Sequence, residues 1–253
     1  MGKITRAEYN ALKEKVELLE HYLNGGKGSG NWGHSGRPGK RGGSGKGMSG
    51  IGKAAGESLA KAAKEEPEVS KDLADTFGKN NAEFAGFNYR LKGQSSLVRK
   101  IKTDAGAEAA KTGSKVTREL MKKATEGIND NLRYTALLDK NDYGAGFDRI
   151  KKDLEGKGYE FVKVKNTMAF PEPGNPYRGV NCQLKNKNGY TFELQFHTPQ
   201  SVDLKEQIHK DYEIARNPKY KKEKRDAATA RMFKTYESLE VPESAKNIKP
   251  FKK

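Results

Sequence analysis

The chain has 253 residues, a formal net charge of +16 and a mean hydropathy of −0.95. Only 34% of the residues are hydrophobic, so we expect part of the chain to stay outside a compact core. The single cysteine, Cys182, excludes an intramolecular disulfide, and the lack of a run of 18 apolar residues excludes a membrane-spanning helix. The basic charge favours polyanionic partners such as nucleotides or RNA, with a solvated basic surface as the alternative.

Two segments precede the predicted folded domain. Residues 1–23 are predicted to form a docking helix, because apolar residues recur there at helical spacing: Leu12, Val16, Leu19 and Leu23. Residues 24–50 are rich in glycine and contain no acidic residue, which predicts a flexible basic linker. This linker resembles a short motif of tailed-phage proteins, and the resemblance implies a phage structural protein as the partner of residues 1–23.

Residues 51–240 are predicted to form one domain, followed by a basic tail over 241–253. Hydrophobic periodicity predicts helices over Ser58–Glu65, Val69–Phe77, Asn81–Tyr89, a segment opening near Gln94, Lys115–Gly127, Gly146–Glu155, Val202–Ala215 and Lys222–Ser238. It predicts strands over Asn131–Leu138, Tyr159–Lys165 and a hairpin within 176–199. Pro67 is expected to separate the first two helices. This order predicts an α+β fold with one mixed sheet of about five strands flanked by helices.

The second strand of the hairpin carries a row of polar side chains. Because successive side chains point to opposite faces, Glu193, Gln195 and His197 share one face of this strand. The opposite face carries Phe192, Leu194 and Phe196. Such a row is typical of a solvated strand face, and equally of an active site.

Each of three further motifs has both a purely structural and a functional interpretation. Basic residues before and within the helix that opens at Gln94, among them Lys100, indicate either a phosphate cradle or an ordinary capped helix. Asp130 precedes a strand that carries Arg133, which is typical of a Mg²⁺ site or of a surface salt bridge. Tyr177 follows a turn, where it is expected to stack on a base or to pack at the start of a strand.

Taken in order over roughly residues 80–216, these motifs resemble the synthetase domain of the RelA/SpoT family. Its last strand reads Glu-(Ile/Val)-Gln-(Ile/Leu)-Arg-Thr, and its preceding strand reads Asn-Gly-Tyr-Arg-Ser-x-His. Here the corresponding residues run from Glu193 to Thr198 and from Asn175 to Asn181. Three positions depart from the family pattern: His197 replaces arginine, Asn181 replaces histidine and Pro176 replaces glycine.

The resemblance implies a nucleotidyltransferase-like fold and Mg²⁺-dependent transfer of pyrophosphate from ATP to the 3′ hydroxyl of a guanine or adenine nucleotide. It implies catalytic roles for Glu193, Asp130 and Arg133, with Asp130 and Glu193 as the metal ligands. The implied contacts to ATP are Arg90, Lys92, Ser96 and Lys100. The implied contacts to the acceptor are Lys165, Asn175, Tyr177, Gln195, His197 and His209.

Three functions stay open at this point. The first is a phage- or prophage-encoded effector or toxin that modifies a nucleotide. The second is pyrophosphorylation of the 3′ end of tRNA, which the basic charge favours because each phosphate contact releases counterions. The third is a non-catalytic phage head or neck protein on the same fold. We expect a cytoplasmic location in a bacterial host, or association with the virion.

Overall fold

The computed structural model describes residues 45–253, and describes side chains from Ile51 onward. The predicted docking helix, and the predicted linker as far as residue 44, lie outside the described residues. Among the residues described, no helix is both long and apolar enough to cross a membrane. Contacts divide this part of the chain into two units: residues 45–64 with 92–131, and residues 65–91 with 132–253.

Helix α1 spans Gly45–Lys79 and contributes to both units. Pro67 lies inside it, so the prediction of two helices separated at Pro67 was wrong. Proline removes one backbone hydrogen bond. Buried residues on both sides offset that loss and keep the helix continuous: Leu59, Ala62, Val69 and Leu73.

The first unit is helical. Beside residues 45–64 of α1, it contains α2 (Gln94–Lys111) and α3 (Arg118–Glu126). Its core is formed by Ile51, Ala55, Leu59, Leu97, Ile101 and Ile128. Gly93, rather than a serine, caps the N-terminus of α2, so Ser96 lies within the first turn.

The second unit is built on a six-stranded mixed sheet, which confirms the predicted α+β class with one strand more than expected. The strands are β1 (Glu83–Phe84), β2 (Arg133–Leu137), β3 (Glu160–Asn166), β4 (Val180–Lys185), β5 (Thr191–His197) and β6 (Phe251–Lys252). Their order is β1-β2-β5-β4-β3-β6, and only β2 and β5 run parallel. The predicted hairpin is β4–β5, whose turn contains Gly189 at φ 79°.

One face of this sheet forms the core of the second unit. It carries fully buried side chains from the central strands, among them Phe161, Val180, Cys182, Leu184, Phe192, Leu194 and Phe196. Helix α4 (Tyr143–Gly156) packs on this face, where the Phe147 ring lies 4.9 Å from that of Phe196 and 6.3 Å from that of Phe161. The predicted apolar side of β5 is therefore confirmed.

The C-terminal helices are α5 (Pro199–Gln207), α6 (His209–Ala215) and α7 (Lys222–Tyr236). One helix had been predicted over Val202–Ala215; the chain instead begins α5 at Pro199, with Thr198 and Ser201 forming a capping box, and starts α6 after Ile208. A helix predicted over Asn81–Tyr89 was also wrong. Asn81 and Gly86 adopt left-handed φ values of 52° and 60°, which a right-handed helix does not accommodate.

Candidate active site

The face of the sheet opposite the α4 core carries the predicted polar row. Strand register aligns Arg133, Glu193, Gln183 and Lys163 across four strands, and aligns Thr135, Gln195, Asn181 and Lys165 in the next row. His197 continues β5 beyond these rows. We call these nine residues the polar face.

A hydrogen-bonded chain connects α5 to the carboxylate of the polar face. The ammonium of Lys205, on α5, donates to Oε1 of Gln195 at 2.8 Å. The amide nitrogen of Gln195 donates in turn to Oε1 of Glu193 at 2.5 Å. Gln195 is 5% exposed, so this amide is fixed rather than solvated. The chain orients the carboxylate of Glu193 beside Arg133.

Lys205 is largely buried by this arrangement. Its pKa is lowered to about 8, chiefly by burial and also by the nearby positive charge of Arg133, against the opposing effects of Glu193 and Glu206. Its ammonium also lies 5.9 Å from the centre of the Tyr177 ring. Sequence reasoning missed Lys205 because a lysine in an amphipathic helix is normally expected at the surface. The only local signal was its position one turn after Ser201, which puts both residues on one side of α5.

His197 is completely buried and is satisfied at both ring nitrogens. Its Nε2 lies 2.7 Å from the hydroxyl of Tyr177, and its Nδ1 lies 2.9 Å from Oγ of Ser201. Burial lowers the pKa of His197 well below its ordinary value, so the ring is neutral at pH 7. His197 therefore adds no positive charge to the polar face, and its buried ring is not available for direct contact with an acceptor.

Tyr177 has its hydroxyl inside the protein and only part of its ring exposed. The hydroxyl donates to Oδ1 of Asn181 at 2.6 Å, which leaves its oxygen to accept from Nε2 of His197. Gly179 makes this contact possible, because a Cβ at that position would lie 2.6 Å from the hydroxyl and 2.7 Å from Cε1 of His197. Asn175 lies in the same connection between β3 and β4, and its side-chain oxygen accepts from the backbone nitrogen of Tyr177. The predicted stacking role of Tyr177 is limited to the exposed part of its ring.

The polar face itself carries three cationic side chains. Arg133 is exposed, and Lys163 and Lys165 are half-buried on β3. Lys165 forms an ion pair with Glu172 at 2.6 Å, and this pairing lowers the pKa of the Glu172 carboxyl. His209 is exposed at the start of α6. The face thus carries more positive than negative charge, which suits an anionic ligand.

Arg90 occupies a structural position within the second unit. It is 6% exposed, and its Nε donates to the carboxylate of Glu66 at 2.5 Å. Its Nη1 donates to the carbonyl of Phe87, and its guanidinium carbon lies 4.1 Å from the centre of the Phe87 ring. A contact between Arg90 and ATP would require these buried partners to be given up.

The other residues predicted to contact ATP lie in the first unit, or at its boundary. Lys92 forms an ion pair with Asp130 at 2.5 Å, and Lys100 pairs with Asp104 at 3.2 Å. Ser96 is half-buried. The structure therefore brings Lys92 and Asp130 together and gives Lys100 a carboxylate partner on its own helix.

The predicted metal ligands have the right donor chemistry for Mg²⁺, which prefers oxygen ligands. Oδ1 of Asp130 is buried and has no hydrogen-bond partner, a state that metal coordination would relieve. Within residues 45–253 no group of three or more His, Cys, Asp or Glu side chains is arranged to hold a metal ion. A bound Mg²⁺ would therefore take further oxygen ligands from substrate phosphates and water.

No protein-family model matches the chain, and no curated protein sequence matches it. Among solved structures, a chain of the complex between the Type VI effector Tas1 and its immunity protein is 18% identical, with a TM-score of 0.43 over 77% of this chain and 97% of that one.

Two further solved structures are similar to a comparable extent. Small alarmone synthetase 2 from Bacillus subtilis is 15% identical, with a TM-score of 0.47 over 71% of this chain and 88% of that one. A GTP pyrophosphokinase family protein from Streptococcus pneumoniae is 12% identical, with a TM-score of 0.40 over 75% of this chain and 86% of that one. Likeness at this level assigns no activity.

Proposed function

We propose that this protein transfers the terminal pyrophosphate of ATP to the 3′ hydroxyl of a purine nucleotide. The observation that carries the proposal is the position of Glu193 on the polar face. Its carboxylate lies beside Arg133 in the strand register and is oriented by the amide of Gln195. A fixed carboxylate among cations is the arrangement that phosphoryl-type transfer requires, because such catalysis depends on alignment and charge neutralisation.

In the proposed reaction, the acceptor oxygen attacks the β-phosphorus of ATP. The bond from that phosphorus to the oxygen bridging the α-phosphate breaks, and AMP leaves. Glu193 accepts the proton of the 3′ hydroxyl, while Arg133 stabilises the negative charge that grows on the phosphates. Gln195 keeps the Glu193 carboxylate in position. Bound Mg²⁺, with Glu193 and Asp130 as proposed ligands, would offset phosphate charge.

The substrates are assigned to the predicted contacts. Lys92, Ser96 and Lys100 are proposed to contact the ATP phosphates, as is Arg90 if its buried pairing with Glu66 opens. The exposed part of the Tyr177 ring and the side chain of Lys165 are proposed to contact the acceptor, as are His209 and Asn175. An effector or toxin is the proposed biological role.

The reaction is tested by incubating the full chain with Mg²⁺ and ATP labelled at the γ-phosphate. GTP, GDP, ATP and tRNA are supplied as acceptors in separate samples. We expect label on a purine nucleotide together with an equal amount of AMP. ADP in place of AMP would indicate transfer of a single phosphate and would refute the proposal. Label confined to tRNA would support tRNA modification, and no transfer to any acceptor would support a non-catalytic role.

A further inference from the structure

Lys205 occupies a place that fold stability does not explain. It is half-buried over the polar face, where the charges of Arg133 and Glu193 both act on it. Its ammonium donates a hydrogen bond to the neutral amide oxygen of Gln195. Taking an ammonium partly out of water costs free energy that one hydrogen bond to a neutral amide does not recover.

The ammonium of Lys205 also has unused capacity for a ligand. An ammonium carries three N–H donors, and one of them is directed to Gln195. The pKa of about 8 leaves Lys205 mainly protonated at neutral pH, so it presents a positive charge. Arg133 is close enough for its charge to act on Lys205, so two cations are held near each other with Glu193 beside them. An anion bound between Arg133 and Lys205 would relieve their repulsion.

The position of His197 explains why a cation from α5 would be needed. The ring of His197 is neutral, buried and bonded on both sides, so β5 ends without a charged side chain. Lys205 lies on the same helix as Ser201, the residue that holds Nδ1 of His197. Helix α5 therefore fixes the neutral histidine and brings in a positive charge at the same time.

We propose that Lys205, together with Arg133, binds a phosphate group of the nucleotide substrate next to Glu193. The ligand class is the di- or triphosphate chain of a nucleotide, and the proposal rests on the proposed function for the identity of that nucleotide. The ammonium lies 5.9 Å from the centre of the Tyr177 ring, so a phosphate at Lys205 would lie near the ring that is proposed to contact the acceptor.

The test measures equilibrium binding, which needs no turnover. Inorganic tripolyphosphate is titrated into the full chain by calorimetry, for the unchanged protein and for Lys205→Met. We expect the affinity to fall about 10- to 100-fold, as for the loss of one charge-assisted hydrogen bond. The matched control is Lys222→Met, because Lys222 is an exposed lysine paired with Asp226 on α7. The control is expected to bind within about twofold of the unchanged protein.

Thermal unfolding separates this role from a structural one. Lys205→Met is expected to keep or raise the Tm, because methionine fills the same volume without a buried charge. Lys205→Gln is measured in parallel, since it preserves a hydrogen bond to Gln195. A lower Tm for both variants would overturn the proposal, because it would show that Lys205 stabilises the fold.

The remaining outcomes are also decisive. Equal tripolyphosphate affinity for the unchanged protein and Lys205→Met, or no binding to either, would overturn the proposal. Binding through Lys205 without any AMP formation would refute the proposed reaction and leave the phosphate site standing. Titrations with GDP and with an ATP analogue that has a methylene group between the α- and β-phosphates show which substrate loses affinity in Lys205→Met, and so which one Lys205 contacts.

Discussion

Two cations of the second unit, Arg90 and Lys205, are held in opposite ways. Arg90 is enclosed by the carboxylate of Glu66, a backbone carbonyl and the Phe87 ring. Lys205 is half-buried and donates to the amide oxygen of Gln195, which belongs to the polar face. The difference separates a cation that completes the core from one that is placed to bind an anion. A basic residue near the right motif is therefore not enough to assign a phosphate contact.

The largest effect on activity is expected from Glu193, whose carboxylate is held by the hydrogen bonds that run from Lys205 through Gln195. Glu193→Gln should lower AMP formation roughly 10²- to 10⁴-fold, because it removes the proton acceptor while keeping the shape of the side chain. Activity is measured with labelled ATP and folding by thermal unfolding. Glu237→Gln, at an exposed position after α7, serves as the control and should be fully active. Full activity in Glu193→Gln would remove the polar face from the reaction.

The structural role of Arg90 is tested by removing its carboxylate partner, Glu66. Glu66→Ala should lower the free energy of unfolding by about 3–5 kcal/mol, because it leaves the charge of Arg90 buried and unpaired. The measurement is urea unfolding. Glu68→Ala breaks an exposed ion pair with Lys187 and should cost about 1 kcal/mol or less. Equal costs for the two variants would contradict the structural role given to Arg90.

Lys205 should make the free energy of unfolding depend on pH. Since the pKa of Lys205 falls from 10.5 to about 8 on folding, the unfolded chain binds more protons between these pH values. The stability of the unchanged protein should therefore rise through this window relative to Lys205→Met. The difference in the free energy of unfolding between the two proteins that arises from this titration is about 3 kcal/mol at pH 7 and should shrink toward zero near pH 10.5.

The neighbouring groups leave this pH signal to Lys205. The charged groups that act on Lys205 are Arg133, Glu193 and Glu206. Burial raises the pKa of Tyr177 well above its ordinary value, so this hydroxyl does not titrate there. Lysines and tyrosines elsewhere are common to both proteins and cancel. A gap that is constant from pH 7 to 10.5 would show that Lys205 is not buried as a charge.

The smallest effect is expected where the chain passes close to Tyr177 and His197. Gly179→Ala should cost about 1–3 kcal/mol, because the added methyl group would meet both side chains at less than contact distance. Gly156→Ala, in open space at the end of α4, should be neutral or slightly stabilising. Urea unfolding of both variants checks this. Similar values for the two would show that the Tyr177–His197 contact is not tightly packed.

Much of the sheet could be predicted from local patterns. The alternation around Glu193 identified the polar and apolar faces of β5, because strand geometry places every second side chain on one face. Before residue 131 the apolar residues change from helical spacing to alternation. This change separated the helices from the strands, because the two structures repeat their side-chain directions at different spacings. The continuous helix across Pro67 could not be predicted, since the contacts that offset the missing hydrogen bond come from the packed protein.

The sequence by itself determined the α+β class, the hairpin and the row that contains Glu193, Gln195 and His197. Only the tertiary structure decided which charges are enclosed and which face the site. Arg90 meets Glu66 across 24 residues, and Tyr177 meets His197 across 20. Secondary structure follows from side-chain periodicity within one segment. The charge and accessibility of a polar group depend on partners that only folding brings together.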